Sequence, residues 1–248
     1  MTFSVVDKDG NLLRSESFAA PYAAMVHDFI VTREHVIFPI MPLTGSLERA
    51  FKGGPVYAWE PDKGSHIGIM PRNGSVRELQ WFYGEASYVF HPMNAHTTDD
   101  GKIVCDVCEY PEAPLFPGVD GKPGDPKKAL AKLARWTFDL NAQTDRYQVE
   151  QLHDLVCEFP RIDERRAGLP YRFGYIAGDT QPAAKVGGFN IIAAVDHHKG
   201  TLSSYDVGES CATSEPIFVP RRVDAEEGDG FLLAYVFDAN RGASHMVV

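Results

Sequence analysis

The stretch YVFHPMNAHTTDDGKIVCDV, residues 88–107, decides the fold class of this chain. An apolar run from Tyr88 to His91 and a second from Ile103 to Val107 are separated by polar residues that include the pair Asp100-Gly101. Glycine readily adopts the positive φ that a tight turn between two strands requires. The stretch therefore predicts a strand, a turn and a second strand.

The same pattern recurs along the sequence and predicts an all-β protein. Turn signals also occur at Asp9-Gly10, Asn73-Gly74 and Gly228-Asp229-Gly230. Besides the two strands above, we predict strands at residues 24–31, 35–40, 56–59, 66–70, 79–82, 136–140, 190–195, 217–219 and 231–237.

One helix is predicted as an insertion on this β scaffold. Asp125 can cap it, Pro126 suits its first position, and the segment from Lys127 to Leu133 contains good helix formers. Because segments of strand character resume after this helix, we predict a single domain over residues 1–248.

Composition restricts the possible functions. The formal net charge of −10 and the absence of Lys and Arg clusters argue against binding to nucleic acid or to an anionic membrane. The first residues hold neither a signal peptide pattern nor a transmembrane pattern, which leads us to expect a cytoplasmic protein.

The four cysteines are predicted to be reduced thiols, because they are too few and too dispersed for a disulfide framework. Cys105 and Cys108 have the spacing of zinc ligands. A structural zinc site needs a second pair of ligands, and none follows at a suitable distance.

Two of the nine histidines share a context that suits a metal ligand. His27 interrupts an apolar segment, and His91 ends the apolar run before Pro92. A neutral imidazole can bind a metal there, but a histidine on an apolar strand can also be a satisfied core residue. The pattern alone favours the core interpretation and keeps the metal ligand as the alternative.

Two carboxylates, Glu158 and Glu215, lie between apolar residues and prolines. A carboxylate in such surroundings must be paired or exposed. One suitable partner is the free ring nitrogen of a metal-bound histidine. The simpler alternative is an ion pair with Arg161, Arg221 or Arg222, and the pattern alone favours these ion pairs.

Four motifs in the order of the chain resemble those of the carotenoid cleavage oxygenase family, and the resemblance covers nearly the whole sequence. The stretch EFPRID also resembles the stilbene-cleaving members, the lignostilbene dioxygenases. The four motifs are HDFIVT at residues 27–32, FHPMNA at 90–95, EFPRID at 158–163 and EPIFVPR at 215–221.

The resemblance implies a seven-bladed β-propeller that holds Fe(II) with four histidines, three of them fixed by glutamates. By motif, His27 and His91 would be iron ligands, and Glu158 and Glu215 would fix ligand histidines. The implied reaction inserts both atoms of O₂ across a conjugated C=C bond and yields two carbonyl products. The implied substrate is a phenolic stilbene, a carotenoid or an apocarotenoid, and the resemblance slightly favours the stilbene.

The resemblance also implies that parts of the site belong to other parts of a family member. The first iron histidine would precede residue 1, the fourth would follow Val248, and His245 does not match either motif. The third glutamate, and the Tyr and Lys that bind the phenol in stilbene-cleaving members, would belong to the N-terminal part. We therefore expect a partial propeller, which binds Fe(II) weakly and has no alkene-cleaving activity by itself. The alternative is a catalytically silent propeller fragment.

Two other classes of metal enzyme fit the sequence poorly. The pair His27-Asp28 also occurs in helical metal-dependent phosphohydrolases, whereas this chain is rich in predicted strands. Facial-triad oxygenases require His-x-Asp, and here the His and the Asp are adjacent.

The remaining histidines are interpreted as structural. His197 and His198 are predicted to lie in a solvated hairpin turn. His96 follows His91 by five residues, so on one regular strand it would face the opposite side and would not share a metal with it.

Overall fold

The computed structural model describes residues 1–180 and 188–248, and within them it confirms the predicted all-β class. The first strands are β1 (Thr2–Val6), β2 (Leu12–Ser17), β3 (Ile30–Val31), β4 (His35–Ile40), β5 (Leu43–Gly45), β6 (Tyr57–Trp59), β7 (Ser65–Pro71), β8 (Gln80–Gly84), β9 (Tyr88–Thr97) and β10 (Ile103–Tyr110). They are followed by β11 (Lys132–Phe138), β12 (Gln148–Ile162), β13 (Phe173–Asp179), β14 (Ile191–Asp196), β15 (Thr201–Asp206), β16 (Cys211–Thr213), β17 (Ile217–Pro220), β18 (Gly230–Asp238) and β19 (Ala243–Val247). A short helix, α1 (Leu47–Phe51), and the 3₁₀ turns Pro61–Lys63, Val76–Glu78 and Glu164–Arg166 complete these elements.

Antiparallel pairing of neighbours along the chain dominates the sheets. Strands β9 to β15 form a seven-stranded sheet in chain order. Strands β3, β4, β7 and β8 form a four-stranded sheet, and β16 to β19 form another around β18. Short polar turns join most of these strands, as the sequence predicts. At Gly101, between β9 and β10, φ is 82°, which is the conformation that favours glycine there.

Strand β4 shows how alternation builds the core. Ile37 packs in the main cluster, which also contains the fully buried Trp136. Its neighbours Val36 and Phe38 pack in a smaller cluster with Met70. Since successive side chains of a strand point to opposite faces, β4 is buried on both sides.

Strand β12 changes its pairing partner along its length. Residues from Gln148 to Gln151 pair with β11, whereas residues from Val156 to Ile162 pair with β13. The register with β13 shifts between Glu158 and Arg161, which marks a bulge. The pairing of β12 with β11 therefore ends near Val156. Beyond that point, the edge of β12 that faced β11 can contact another strand.

The predicted helix after Asp125 is wrong. The cap does form, because the Asp125 carboxylate accepts a hydrogen bond from the backbone N–H of Lys127 at 2.9 Å. The chain makes only one turn, and β11 begins at Lys132. Leu133 is fully buried and pairs with Cys108 of β10, so burial and sheet pairing outweigh the local helix propensity.

The predicted strand over residues 24–31 is also largely wrong. Ala24 forms an isolated bridge with Thr44, and only Ile30 and Val31 form a strand. His27 therefore lies in an irregular segment between them. Side-chain alternation alone does not distinguish such a segment from a strand. A strand also needs backbone hydrogen bonds to a neighbouring segment, and that neighbour lies elsewhere in the sequence.

The hairpin turn at His197 and His198 is present between β14 and β15, but its predicted solvation is wrong for His197. The side chain of His197 is only 6% exposed, and its Nε2 lies 3.9 Å from Oδ2 of Asp106. Asp106 is itself buried and forms two hydrogen bonds with Arg135, at 2.7 and 2.8 Å. Tyr171 donates a further hydrogen bond to Asp106, so the turn residue His197 closes over a buried polar cluster.

The cysteines are free thiols, as predicted. Cys108 lies 3.9 Å from Cys157, measured between sulfur atoms, and Cys105 is buried separately. Burial raises the pKa of Cys105 and Cys108, which disfavours the thiolate form that binds metals. Within residues 1–180 and 188–248, no helix has the length and apolar character needed to cross a bilayer.

Acid should destabilise the fold through His197. Burial lowers the pKa of His197, and Arg135 and His153 lower it further, while Asp106 and Asp196 raise it. His197 therefore binds a proton more readily in the unfolded chain than in the folded protein. The stability that its neutral, buried side chain contributes is fully present above the ordinary pKa of about 6.5, and it is lost as the pH falls through the lowered pKa of the folded state. The pKa of His91 is raised in the folded protein, so protonation of His91 stabilises the fold as the pH falls.

We therefore expect His197→Leu to reduce the loss of stability between about pH 7.5 and about pH 5.5. Urea unfolding at both pH values measures this difference. The matched control is His198→Leu, which removes a histidine from the exposed next position of the same turn. Equal pH dependence in the wild type and in His197→Leu would contradict the assignment.

Candidate metal centre

The structure brings His27 and His91 together although 64 positions separate them in the sequence. Their ring centroids are 5.1 Å apart, and the ring planes are nearly perpendicular, at 87°. His27 is exposed, and the His91 side chain is about one-third exposed (33%). The two imidazoles therefore line an open site, as a pair of metal ligands would.

His91 lies in an irregular part of β9. The register between β9 and β10 shifts twice, between Asp106 and Val107 and again between Val107 and Glu109. Pro92 follows His91 directly, and proline within a sheet is largely confined to edges and bulges because it has no N–H to donate. Bulges redirect side chains near functional sites, and here they accompany the turn of His91 toward His27.

Glu158 holds one nitrogen of His91. The Nδ1–H group of His91 donates to Oε2 of Glu158 at 2.6 Å. The Glu158 side chain is only 4% exposed. Its Oε2 also accepts a hydrogen bond from the backbone N–H of Phe159 at 2.5 Å. This contact fixes the His91 ring and leaves Nε2 as the nitrogen that can bind a metal.

The environment raises the pKa of His91. The hydrogen bond to Glu158 is the largest cause, and burial opposes it. The charges of Glu158, Glu215 and Asp28 raise the pKa further. Three carboxylates therefore act on this imidazole, which is the electrostatic setting that attracts a cation.

Glu215 does not contact either histidine directly. Its Oε1 accepts a hydrogen bond from Nη1 of Arg161 at 3.0 Å, and the side chain is 43% exposed. The two candidate glutamates therefore have different kinds of partner, one for each alternative that the sequence left open. Glu158 pairs with a histidine, and Glu215 forms an ion pair with an arginine.

Aromatic rings that the sequence analysis did not single out flank the two histidines. Phe90 meets His27 edge to face at 5.0 Å, and Phe159 lies 5.3 Å from His91 between centroids. Phe159 also contacts Phe189 at 5.6 Å and has a positive φ of 54°, which few non-glycine residues adopt. The sequence signal was present, since Phe90 and Phe159 directly adjoin His91 and Glu158.

The residues present fit one part of a metal site. Two imidazoles that share an ion at about 2.1 Å have centroids roughly 5 Å apart, in keeping with the distance between His27 and His91. Neutral imidazole nitrogens suit Fe(II) among other transition metals. Among the described residues, no group of three or more His, Cys, Asp or Glu side chains is arranged to hold a metal ion.

Sequence and structure both match one family. Residues 1–248 match the family model described as retinal pigment epithelial membrane protein. The crystal structure of lignostilbene dioxygenase from Pseudomonas brassicacearum superposes with a TM-score of 0.91 and 35% identity, over 99% of this chain and 53% of that one. The chain therefore belongs to this family, the family of the carotenoid cleavage oxygenases, and the prediction from the four motifs is confirmed. The chain also shares the fold of the β-propeller enzymes in this family.

Individual relatives are named for oxygenase reactions. Isoeugenol monooxygenase from Pseudomonas putida is 39% identical over 100% of this chain and 53% of its own length. Lignostilbene-α,β-dioxygenase isozyme III from Sphingomonas paucimobilis is 34% identical over 98% of this chain and 52% of its own. The chain thus spans about half the length of these relatives.

The hydrogen bond from Glu158 should control the basicity of His91. We expect Glu158→Gln to lower the pKa of His91, because the amide keeps the shape of the side chain but removes the charge and the strong acceptor. Titration of the His91 ring protons by NMR measures the change. Glu215→Gln should lower the pKa less, since Glu215 acts only through its charge. An unchanged pKa in Glu158→Gln would show that the contact does not form in solution.

Proposed function

We propose that this chain forms part of an Fe(II)-dependent oxygenase that cleaves a conjugated C=C bond with O₂. The observation that carries the proposal is the pairing of His27 and His91, with the buried Glu158 on Nδ1 of His91. A structural histidine pair would not need a buried carboxylate that leaves one ring nitrogen directed to an open site. The names of the relatives, one a monooxygenase and one a dioxygenase, support an oxygenase reaction.

The chain's own residues would prepare the site. His27 and His91 would each supply a nitrogen ligand, and Glu158 would keep His91 in one tautomer and one orientation. The chemistry that Fe(II) supplies when bound is activation of O₂ for insertion of both oxygen atoms across the alkene, which gives two carbonyl products. Phe90 and Phe159 would exclude water from the side of the imidazoles that they cover.

A phenolic stilbene or a related phenylpropenoid is the substrate class that we favour. The most similar relatives considered above are named for isoeugenol and lignostilbene, whereas the apocarotenoid oxygenase from Synechocystis is 30% identical. The groups that would distinguish these substrates belong, by the resemblance, to parts of a family member outside these 248 residues.

The metal assignment can be tested in a protein of the relatives' length that contains this chain. His27→Ala and His91→Ala should each abolish iron binding, because each removes a ligand. Glu158→Gln should lower the iron affinity by roughly 10- to 100-fold, the usual effect of losing a carboxylate that orients a ligand. Iron content after anaerobic loading and the yield of aldehydes from a hydroxystilbene measure both effects.

His245→Ala is the control for this experiment, since His245 does not match an iron motif, and it should retain iron and activity. Normal iron content in His27→Ala or in His91→Ala would refute the ligand assignment.

A catalytically silent fragment is the second candidate function. The observation in its favour is that the part of the chain described by the structure brings two histidines together but no group of three or more side chains that could hold a metal ion. Elemental analysis of the isolated chain after loading with Fe(II) tests the silent fragment. Close to one tightly bound iron per chain would exclude it, whereas weak binding agrees with both candidates, and turnover by the protein of the relatives' length then decides between them.

A further inference from the structure

Two consecutive residues of β12 contact the same imidazole ring. Glu158 accepts the hydrogen bond from Nδ1 of His91 at 2.6 Å. The ring of Phe159 lies 5.3 Å from the His91 ring between centroids, with the two planes inclined by 37°. On a regular strand, successive side chains point to opposite faces of the sheet, so both could not reach one ring. The backbone of β12 therefore departs from strand geometry at this point.

The departure lies at Phe159. Its φ of 54° is in the left-handed region, and Leu115 is the only other non-glycine residue with a positive φ in the described part of the chain. The next residue is Pro160, and a residue before proline is normally extended. Local sequence therefore disfavours this conformation, and tertiary contacts must hold it.

The bulge in β12 also frees the N–H group of Phe159. The ladder with β13 pairs Glu158 and next Arg161, so the two residues between them have no partner in β13. The N–H of Phe159 donates instead to Oε2 of Glu158 at 2.5 Å, the same oxygen that accepts from His91. One residue thus contacts the imidazole with its ring and the carboxylate on that imidazole with its backbone.

The ring of Phe159 is itself held by a second aromatic contact. Phe189 meets it edge to face, with centroids 5.6 Å apart and planes at 80°. Phe159 is half-buried, and its ring packs against both Phe189 and His91. Such packing limits rotation of the imidazole about its bond to Cβ. The nitrogen left free for a metal, Nε2 of His91, then keeps one direction.

We propose that Phe159 is a positioning residue of the candidate metal centre, and that its left-handed backbone places its ring on His91 and its N–H on Glu158. This inference rests on the proposed function, because a metal is what the oriented nitrogen would bind. Phe159 does not bind the metal, and it acts through His91 and Glu158. Such a position requires a residue that adopts a positive φ, whereas a packing position in a regular strand does not.

Glycine and alanine substitutions separate the backbone from the ring. Phe159→Gly and Phe159→Ala both remove the ring, but only glycine adopts a positive φ at no steric cost. In a regular strand, glycine is less stable than alanine. The matched control is Phe231 of β18, which is 43% exposed and has no positive φ. Phe231→Gly should unfold at a lower temperature than Phe231→Ala, whereas Phe159→Gly should unfold at the same temperature as Phe159→Ala or a higher one.

The tautomer of the His91 ring reports its positioning and does not require a metal. It is observed by ¹⁵N NMR of the 248-residue chain labelled at histidine, at a pH where the ring is neutral. We expect the proton on Nδ1 alone in the wild type and a mixture of both tautomers in Phe159→Ala. Phe159→Gly should lie between them, and Phe159→Tyr, which keeps the ring, should restore the wild-type tautomer. Both Phe231 variants should also keep it.

Iron binding is the second measurement, made in a protein of the relatives' length that contains this chain. Phe159→Ala should weaken iron binding by about 10-fold, the lower end of the usual effect of losing a group that orients a ligand. Phe231→Ala should leave iron binding unchanged. Phe159→Asn, another residue that tolerates a positive φ, gives the same comparison with alanine if the glycine variant does not fold.

The other outcomes overturn different statements. If Phe159→Ala lowers the unfolding temperature but keeps the wild-type tautomer, Phe159 only packs and the proposal is wrong. If Phe159→Gly loses the Nδ1 tautomer more than Phe159→Ala does, the left-handed backbone is not the cause. If the wild-type protein of the relatives' length binds no iron, the proposed function is wrong, and the tautomer of His91 still decides whether Phe159 positions the ring.

Discussion

The hydrogen bond between His91 and Glu158 is the contact on which the rest of the site depends. It joins β9 and β12, which are separated by β10 and β11 in the order of the sheet. In a flat sheet, strands three places apart would lie roughly 14 Å apart. The contact can form only because β12 leaves β11 near Val156 and continues along β13, while β9 is bulged around His91. The site is thus made where the sheet departs from regular pairing.

These departures from regular pairing lower the stability of the fold, and a regular sheet would not have this cost. A non-glycine residue with positive φ, such as Phe159, costs about 1–3 kcal/mol. A buried carboxylate such as Glu158 also costs free energy unless hydrogen bonds compensate it, and the two that it receives, from the His91 ring and the Phe159 backbone, both go to Oε2. Local strain and a buried charge therefore occur at one place, beside the two histidines. That coincidence is typical of functional sites and supports the interpretation of the histidine pair as a metal centre.

Charge arrangement distinguishes this centre from the buried polar cluster at Asp106. At Asp106, the carboxylate is matched by Arg135 and Tyr171, and burial keeps His197 neutral by lowering its pKa. At His91, carboxylates predominate and raise the pKa of the imidazole. The first arrangement stabilises packing between strands and a turn. The second leaves a ring nitrogen and negative charge facing an opening, where a cation can be bound.

The sequence by itself predicted the all-β class and the position of about half of the strands, and through its motifs it indicated the family and four candidate site residues, of which the structure brings His27, His91 and Glu158 together. These follow from local signals, because alternation, turn glycines and contiguous motifs are properties of neighbouring residues. Tertiary structure alone decided that Leu133 belongs to a strand, that His197 is buried, and that Glu158 meets His91 while Glu215 meets Arg161. Each of these outcomes depends on partners that are distant in the chain. Burial and pairing with such partners outweigh local propensity. A short stretch of sequence does not show which distant residues will be these partners.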